Sequence, residues 1–228
     1  MRQGFSSFSI WSYLCAFALL GAVLASAPLQ GQQAGFTSDK AMFAGGNFWY
    51  IQEAFDGLDG IFATRVGFMG GLDPLPSFTS VDRNRTDPDA HIHVIEIRFN
   101  AAQITYEQLI YIFLRQIDPT DDGGQLDERG YPYRTGIFYY GEEQRVIAEK
   151  ALNKLKSSKC FDKEIVTRLE PATNFFPATD LRHLNFHRNY PEQYKQLRYA
   201  TGRDTFLTQI WGTPEDAKKK LMLPPSCS

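Results

Sequence analysis

The sequence predicts an α+β fold, a two-layer sandwich of split β-α-β type. Three observations lead to it: short apolar runs with strand character recur along the chain, stretches of helical spacing stand between them, and loops rich in Gly, Pro and Asp separate the units. The elements follow as β-α-β, a second β-α-β and a further helix. At 228 residues the chain suits one domain with a short extension.

Taken in order, residues 1–26 read as an export signal. Arg2 precedes the apolar run Ile10 to Leu24, and the small residues "ASA" follow. The run is shorter than the roughly 20 apolar residues of a membrane span, with an uncleaved anchor as the alternative. Residues 27–38 read as a linker and residues 39–228 as the folded domain. "AMFAGG" reads as a strand ending in glycines, running straight into a helix over Phe48 to Leu58 with Phe48, Ile51 and Phe55 at helical spacing. "IFATRVGF" and "HVIEIRF" read as strands on either side of a loop over 69–90. "TYEQLIYIFLRQI" opens on Thr105 as N-cap and stops before Asp118-Pro119. After a second loop, 118–132, "YRTGIFYY" reads as a strand, "GEEQRVIAEKALNKLKSS" as an amphipathic helix and "EIVTRLE" as the last strand.

Composition narrows the function. Lys and Arg number 24 against 26 Asp and Glu, and no basic run could track a phosphate backbone, which argues against nucleic acid as a partner. Gly70-Gly71 and Gly123-Gly124 read as turn glycines, and no phosphate-loop spacing surrounds them, so no cofactor is expected. An aromatic content of 14% is compatible with an aromatic-lined pocket. Cys15 lies inside the signal; Cys160 and Cys227, in an exported and oxidising setting, either pair or stay unpaired without a catalytic part. The four histidines form two pairs, His91-x-His93 and His183-xxx-His187. On one strand or one helix each pair shares a face, which makes these residues candidates for a metal site. The bland alternative is separate solvent-facing imidazoles.

Five stretches, "GGNFW", "DGIFATRVGFMGG", "YEQLIYIFLRQIDPT", "ERGYPYRTGIFYY" and "ATNFFPATDLRH", occur in the order found in the type A peptide-methionine sulfoxide reductases. The chain resembles that family from about Lys40 to Tyr194. The resemblance implies the family's ferredoxin-like sandwich and a site assembled around the glycine turn. The family's nucleophilic cysteine, which a helix N-terminus holds as thiolate, falls on Asn47. Its general acid, a glutamate, falls on His93; its two assisting tyrosines fall on Phe78 and Tyr133; its aspartate falls on Glu128. Phe48 and Trp49, which the family uses to hold the substrate methyl group, are intact.

A carboxamide has no thiol-like proton and no lone pair suited to attack on sulfur, so the resemblance implies a degenerate member. It would retain an aromatic pocket for methionine or methionine sulfoxide in exported proteins, and no thioredoxin cycle is expected. The alternatives are reduction through a displaced cysteine and a histidine-bound metal site. From the residues alone, Asn47 reads first as a cap for the helix opening at Phe48, a role compatible with an amide contact to a bound sulfoxide.

Overall fold

The structure is a computed structural model, and it describes residues 39–220 and 222–227. The expected signal and linker lie outside the described residues. The first split unit is β1 (Asp39–Gly45), α1 (Phe48–Gln52) and β2 (Ile61–Met69); the second is β3 (Ile92–Phe99), α3 (Tyr106–Leu114) and β6 (Thr135–Tyr139). Helix α2 (Phe78–Arg83) lies between β2 and β3, and the small hairpin β4 (Gly124–Gln125) and β5 (Glu128–Arg129) lies between α3 and β6. Then come α4 (Glu142–Ser158), β7 (Arg168–Pro171), β8 (Phe175–Pro177), α5 (Phe186–Asn189), α6 (Pro191–Ala200), α7 (Arg203–Trp211) and α8 (Pro214–Lys219).

The main sheet has the order β7-β6-β1-β3-β2-β8. β3 is antiparallel to both β1 and β2, so β1 and β2 run parallel with β3 inserted between them, the split β-α-β arrangement. β6 closes on the other side of β1, also antiparallel. The α+β class expected from the sequence is the observed one. The pairings Phe43↔Ile95, Gly45↔Thr135 and Phe68↔His93 set the ends of four strands side by side: the C-termini of β1 and β2 and the N-termini of β3 and β6.

Strand alternation divides the sheet residues between two faces. Ala41, Phe43, Ile95, Ile97 and Phe99 bury against Leu109, Phe113, Ala151 and Leu155 of α3 and α4 and against Leu207 and Trp211 of α7. Met42, Ala44, Val94 and Phe138 form a second cluster on the opposite face. The centre of the first cluster is a stack in which Phe43 lies 4.7 Å from Phe113 with nearly parallel rings. Helix α3 starts where Thr105 accepts from the Gln108 N–H and Gln108 returns the bond to the Thr105 N–H, a capping box.

Several sequence expectations need correcting. The helix at Phe48 ends at Gln52 rather than Leu58, because the chain breaks into turns closed by Ala54 N–H to Ile51 O and Leu58 N–H to Phe55 O bonds. The 69–90 loop contains α2, which opens where Ser77 Oγ accepts from the Ser80 N–H and Ser80 Oγ accepts from the Ser77 N–H. The 118–132 loop contains the hairpin β4–β5. The last predicted strand starts only at Arg168, since the Val166 N–H is taken by Pro119 O.

Cys160 and Cys227 form a disulfide, 67 residues apart in sequence. Among the described residues no helix is long and apolar enough to cross a membrane. Phe113 fills the middle of the core with no exposure. Phe113→Ala is expected to cost about 3–5 kcal/mol of unfolding free energy, read from the urea midpoint. A loss below about 1 kcal/mol would mean that the core collapses around the gap.

Candidate functional site

Asn47 sits where β1 turns into α1, and two glycines make the turn possible. A Cβ on Gly45 would lie 2.6 Å from Ile117 Cγ2, so α1 could not pack this close to the end of α3. Gly46 has φ +83°, and a Cβ there would lie 2.5 Å from Glu128 Oε2. Asn47 Oδ1 accepts from the Trp49 N–H at 3.1 Å, the N-cap bond expected of it. Its backbone N–H donates to Glu128 Oε2 at 3.0 Å.

Glu128 comes from the hairpin and is mostly enclosed. Its Oε2 also accepts from Arg203 Nη2 at 3.3 Å. Burial pushes its carboxyl up to about 7, against the downward pull of Arg203 and of the Asn47 N–H. Arg203 itself is fully buried; it donates to Gln116 O at 2.7 Å and its guanidinium lies 4.9 Å from the Tyr50 ring centroid. It lies in the C-terminal segment, beyond the five matched stretches, and no local sequence signal points to it.

The second half of the site is an aromatic cluster. His93 has no exposure and is surrounded by Phe48 at 4.8 Å, Tyr133 at 5.1 Å, Phe78 at 5.2 Å and Phe68 at 5.3 Å between ring centroids. Neither of its ring nitrogens has a hydrogen-bond partner among the described residues. Burial drives its pKa down to about 3, so the imidazole is neutral at neutral pH. Trp49 stacks on Phe186 at 4.1 Å and on Phe78 at 5.1 Å, and His183 stacks on Phe78 at 3.9 Å. Trp49 Nε1 and His183 Nδ1 are likewise buried and unpartnered.

Tyr133 is held away from a free role. Its hydroxyl donates to Asp82 Oδ1, which also takes Arg85 Nη2 at 2.6 Å. Burial and the Asp82 bond both raise the phenol's pKa. Asp82, Arg85, Phe68 and Phe186 were not singled out in the sequence, and Asp82 lies on α2, in the stretch read there as loop.

The structure therefore brings together Asn47, Phe48, Trp49, Phe78, His93, Glu128, Tyr133 and His183 at one end of the sheet. It does not bring together the expected histidine pairs. His91 lies just before β3, where Nδ1 accepts from the Gly71 N–H and Nε2 bonds Asp73 O at 2.7 Å, so both nitrogens are used. His183 ends a 3-10 turn and His187 lies in the separate helix α5, so helical spacing does not relate them; His187 Nε2 meets Asp56 Oδ2 at 3.1 Å. Among the described residues no three His, Cys, Asp or Glu side chains are grouped to hold a metal ion.

Comparison with known proteins decides the family. The chain matches the family described as peptide methionine sulfoxide reductase over residues 39–215. It is 40% identical to peptide methionine sulfoxide reductase MsrA of Bacillus licheniformis, over 77% of this chain and 95% of that one. This chain belongs to the peptide methionine sulfoxide reductase family. It is also 41% identical to MsrA of Streptococcus agalactiae, over 76% of this chain and 99% of that one. Among solved structures, methionine sulfoxide reductase A of Corynebacterium diphtheriae superposes with a TM-score of 0.58 at 24% identity, covering 72% of this chain and 78% of that one. Mxr1 from Saccharomyces cerevisiae in its reduced form gives 0.56 at 24% identity, covering 68% and 87%. At that identity the two structures support the fold alone. Mxr1 is also solved in complex with Trx2, and on that finding the expectation that no thioredoxin cycle applies is withdrawn.

Two ionisable groups give the reductase fold opposing pH dependences. Glu128, with its pKa raised by burial to about 7, contributes stability that is present below pH 4.5 and lost as pH rises through 7. His93, with its pKa depressed, contributes stability present above pH 6.5 and lost as pH falls toward 3. Glu128→Gln removes the first slope. Urea unfolding of both proteins between pH 4.5 and 7.5 should show the variant gaining on the parent as pH rises, and a constant difference would contradict the assignment.

Proposed function

We propose that this chain is a degenerate peptide methionine sulfoxide reductase, which binds methionine sulfoxide in exported proteins through its aromatic cluster and does not reduce it. The observation that carries this reading is His93. A neutral imidazole offers one N–H donor and one acceptor, and here both sit unpartnered among rings. A methyl sulfoxide has the matching chemistry: an apolar methyl for Phe48 and Trp49, and an oxygen that is a strong hydrogen-bond acceptor. The amide Nδ2 of Asn47 is a second candidate donor, because Oδ1 alone makes the cap bond.

Reduction needs a nucleophile and an acid. On this reading Asn47 stands in the nucleophile's place, and its side-chain oxygen is committed to the helix N-terminus. His93 stands in the acid's place, and a neutral imidazole N–H is a poor proton donor to a leaving oxygen. Phe78 carries no hydroxyl, and that of Tyr133 is tied to Asp82. Both cysteines among the described residues are bonded to each other. The second reading, reduction through a displaced cysteine, requires that bond to open first.

Peptide carrying the S-epimer of methionine sulfoxide, incubated with the purified protein and dithiothreitol, should show no turnover; turnover abolished by Cys227→Ser would establish the second reading. By calorimetry the sulfoxide peptide should bind about tenfold more tightly than the thioether peptide, the worth of about one hydrogen bond. Trp49→Ala should abolish both, and His93→Phe should erase only the difference. Equal affinity of the parent protein for the two peptides would remove His93 from the site. A further prediction concerns repair of the chemistry. Asn47→Cys with His93→Glu should turn over about 100-fold faster than Asn47→Cys alone, the lower range for general acid catalysis.

A further inference from the structure

The stretch from Arg203 to Cys227 attaches to the site at one end and to a disulfide at the other. At the site end, Arg203 opens α7 and reaches Glu128 and Gln116 O from full burial. Leu207 and Trp211 follow at spacings of four, which places all three on the buried face of α7. The Trp211 ring meets Phe161 edge-on at 5.9 Å and lies under the Arg115 guanidinium at 5.2 Å. Arg115 in turn donates to Pro224 O at 3.3 Å. Three residues later Cys227 is bonded to Cys160, which directly precedes Phe161. The contacts thus run without a gap from the disulfide through Arg115, Trp211 and α7 to Arg203, Glu128 and the Asn47 N–H.

The two ends differ in exposure. The stretch from Met222 to Cys227 is largely exposed, with Pro225 as its buried point, and Cys227 is open to solvent. Arg203 is a fully buried cation whose single carboxylate partner is Glu128 among the described residues. A buried charge of this kind stays in place only while the backbone that carries it is held there.

We propose that Arg203 is a positioning residue for the Asn47 turn, and that Cys160–Cys227 is a reducible latch that keeps it in position. An external dithiol supplies the chemistry: its thiolate attacks the exposed Cys227 sulfur, the Cys160–Cys227 bond breaks, two electrons and two protons leave two thiols on the protein, and the dithiol becomes a disulfide. With the tail released, α7 loosens, Arg203 leaves Glu128, and the Asn47 N–H loses a fixed acceptor. The inference goes beyond sulfoxide binding and is tested without a ligand, so its failure would leave the proposed function untouched.

Amide hydrogen exchange on the full chain reads it directly. Reduction by dithiothreitol is expected to speed exchange in segment 203–211 and at the Asn47 amide by about tenfold or more, and to leave β3 unchanged. Cys227→Ser should show the same pattern without reductant and no further response to it. Arg203→Gln should expose the Asn47 amide while the disulfide is intact and residues 222–227 keep their protection, and Arg203→Lys should restore it in part. Faster exchange confined to 222–227 on reduction would overturn the latch. An Asn47 amide unmoved by both Cys227→Ser and Arg203→Gln would overturn the positioning role; the cysteine variant answers the question if the arginine variant fails to fold.

Discussion

The site depends on one buried carboxylate. Glu128 accepts the N–H of the residue at which a strand becomes a helix, and nothing larger than Gly46 fits between that turn and the carboxylate. The turn sets the direction of α1, and α1 places Phe48 against β2 and β3 and Trp49 against Phe78 and Phe186. A carboxylate here would be costly if left alone, and Arg203 makes it tolerable. Burial raises the acid's pKa and lowers that of the base, so both desolvation costs act against the pair, and the Asn47 and Gln116 backbone bonds supply the rest of its support. The hairpin, the strand turn and the C-terminal helix are thereby one unit.

The aromatic half follows a different principle. His93 is held by shape, with rings around it and no hydrogen bond among the described residues, and an imidazole in such a place stays neutral. Buried polar groups without partners are uncommon in native structures and call for an explanation. Trp49 Nε1, His183 Nδ1 and both nitrogens of His93 are four such atoms in one cluster. On the proposed reading they are donors and acceptors kept for a ligand with one polar atom.

The parts of this legible in sequence were those determined by local physics. Thr105 announced an N-cap, the apolar runs announced β1 to β3, and Asn47 before Phe48 announced a cap. The parts that escaped depend on contacts across the chain. Helical spacing continued through Phe55 although the helix had ended, because Phe55 reaches the core from a turn, 5.8 Å from the Phe43 ring. His183 and His187 stood four apart and looked like one helical face, but Asn185 takes a left-handed conformation between them and starts a new helix. Arg203 was invisible because its partner lies 75 residues earlier. The site as seen through the family likeness was therefore nearly complete on the strand and α1 side and blank on its C-terminal side.

On the proposed reading, that blank side bears on how a site outlives its reaction. A thiolate at the Asn47 position would draw stabilisation from the helix N-terminus, and Asn47 Oδ1 accepts the Trp49 N–H there, so the turn has a partner for that amide whether or not a thiolate is present. Glu128 bonds the backbone of residue 47 rather than its side chain, so it is indifferent to which side chain stands there. The scaffold thus needs no nucleophile for its own stability. What it does need is a neutralised Glu128, and that requirement falls on Arg203. Selection for a folded domain alone would hold the ion pair, the glycines and the core in place while leaving residue 47 free to change.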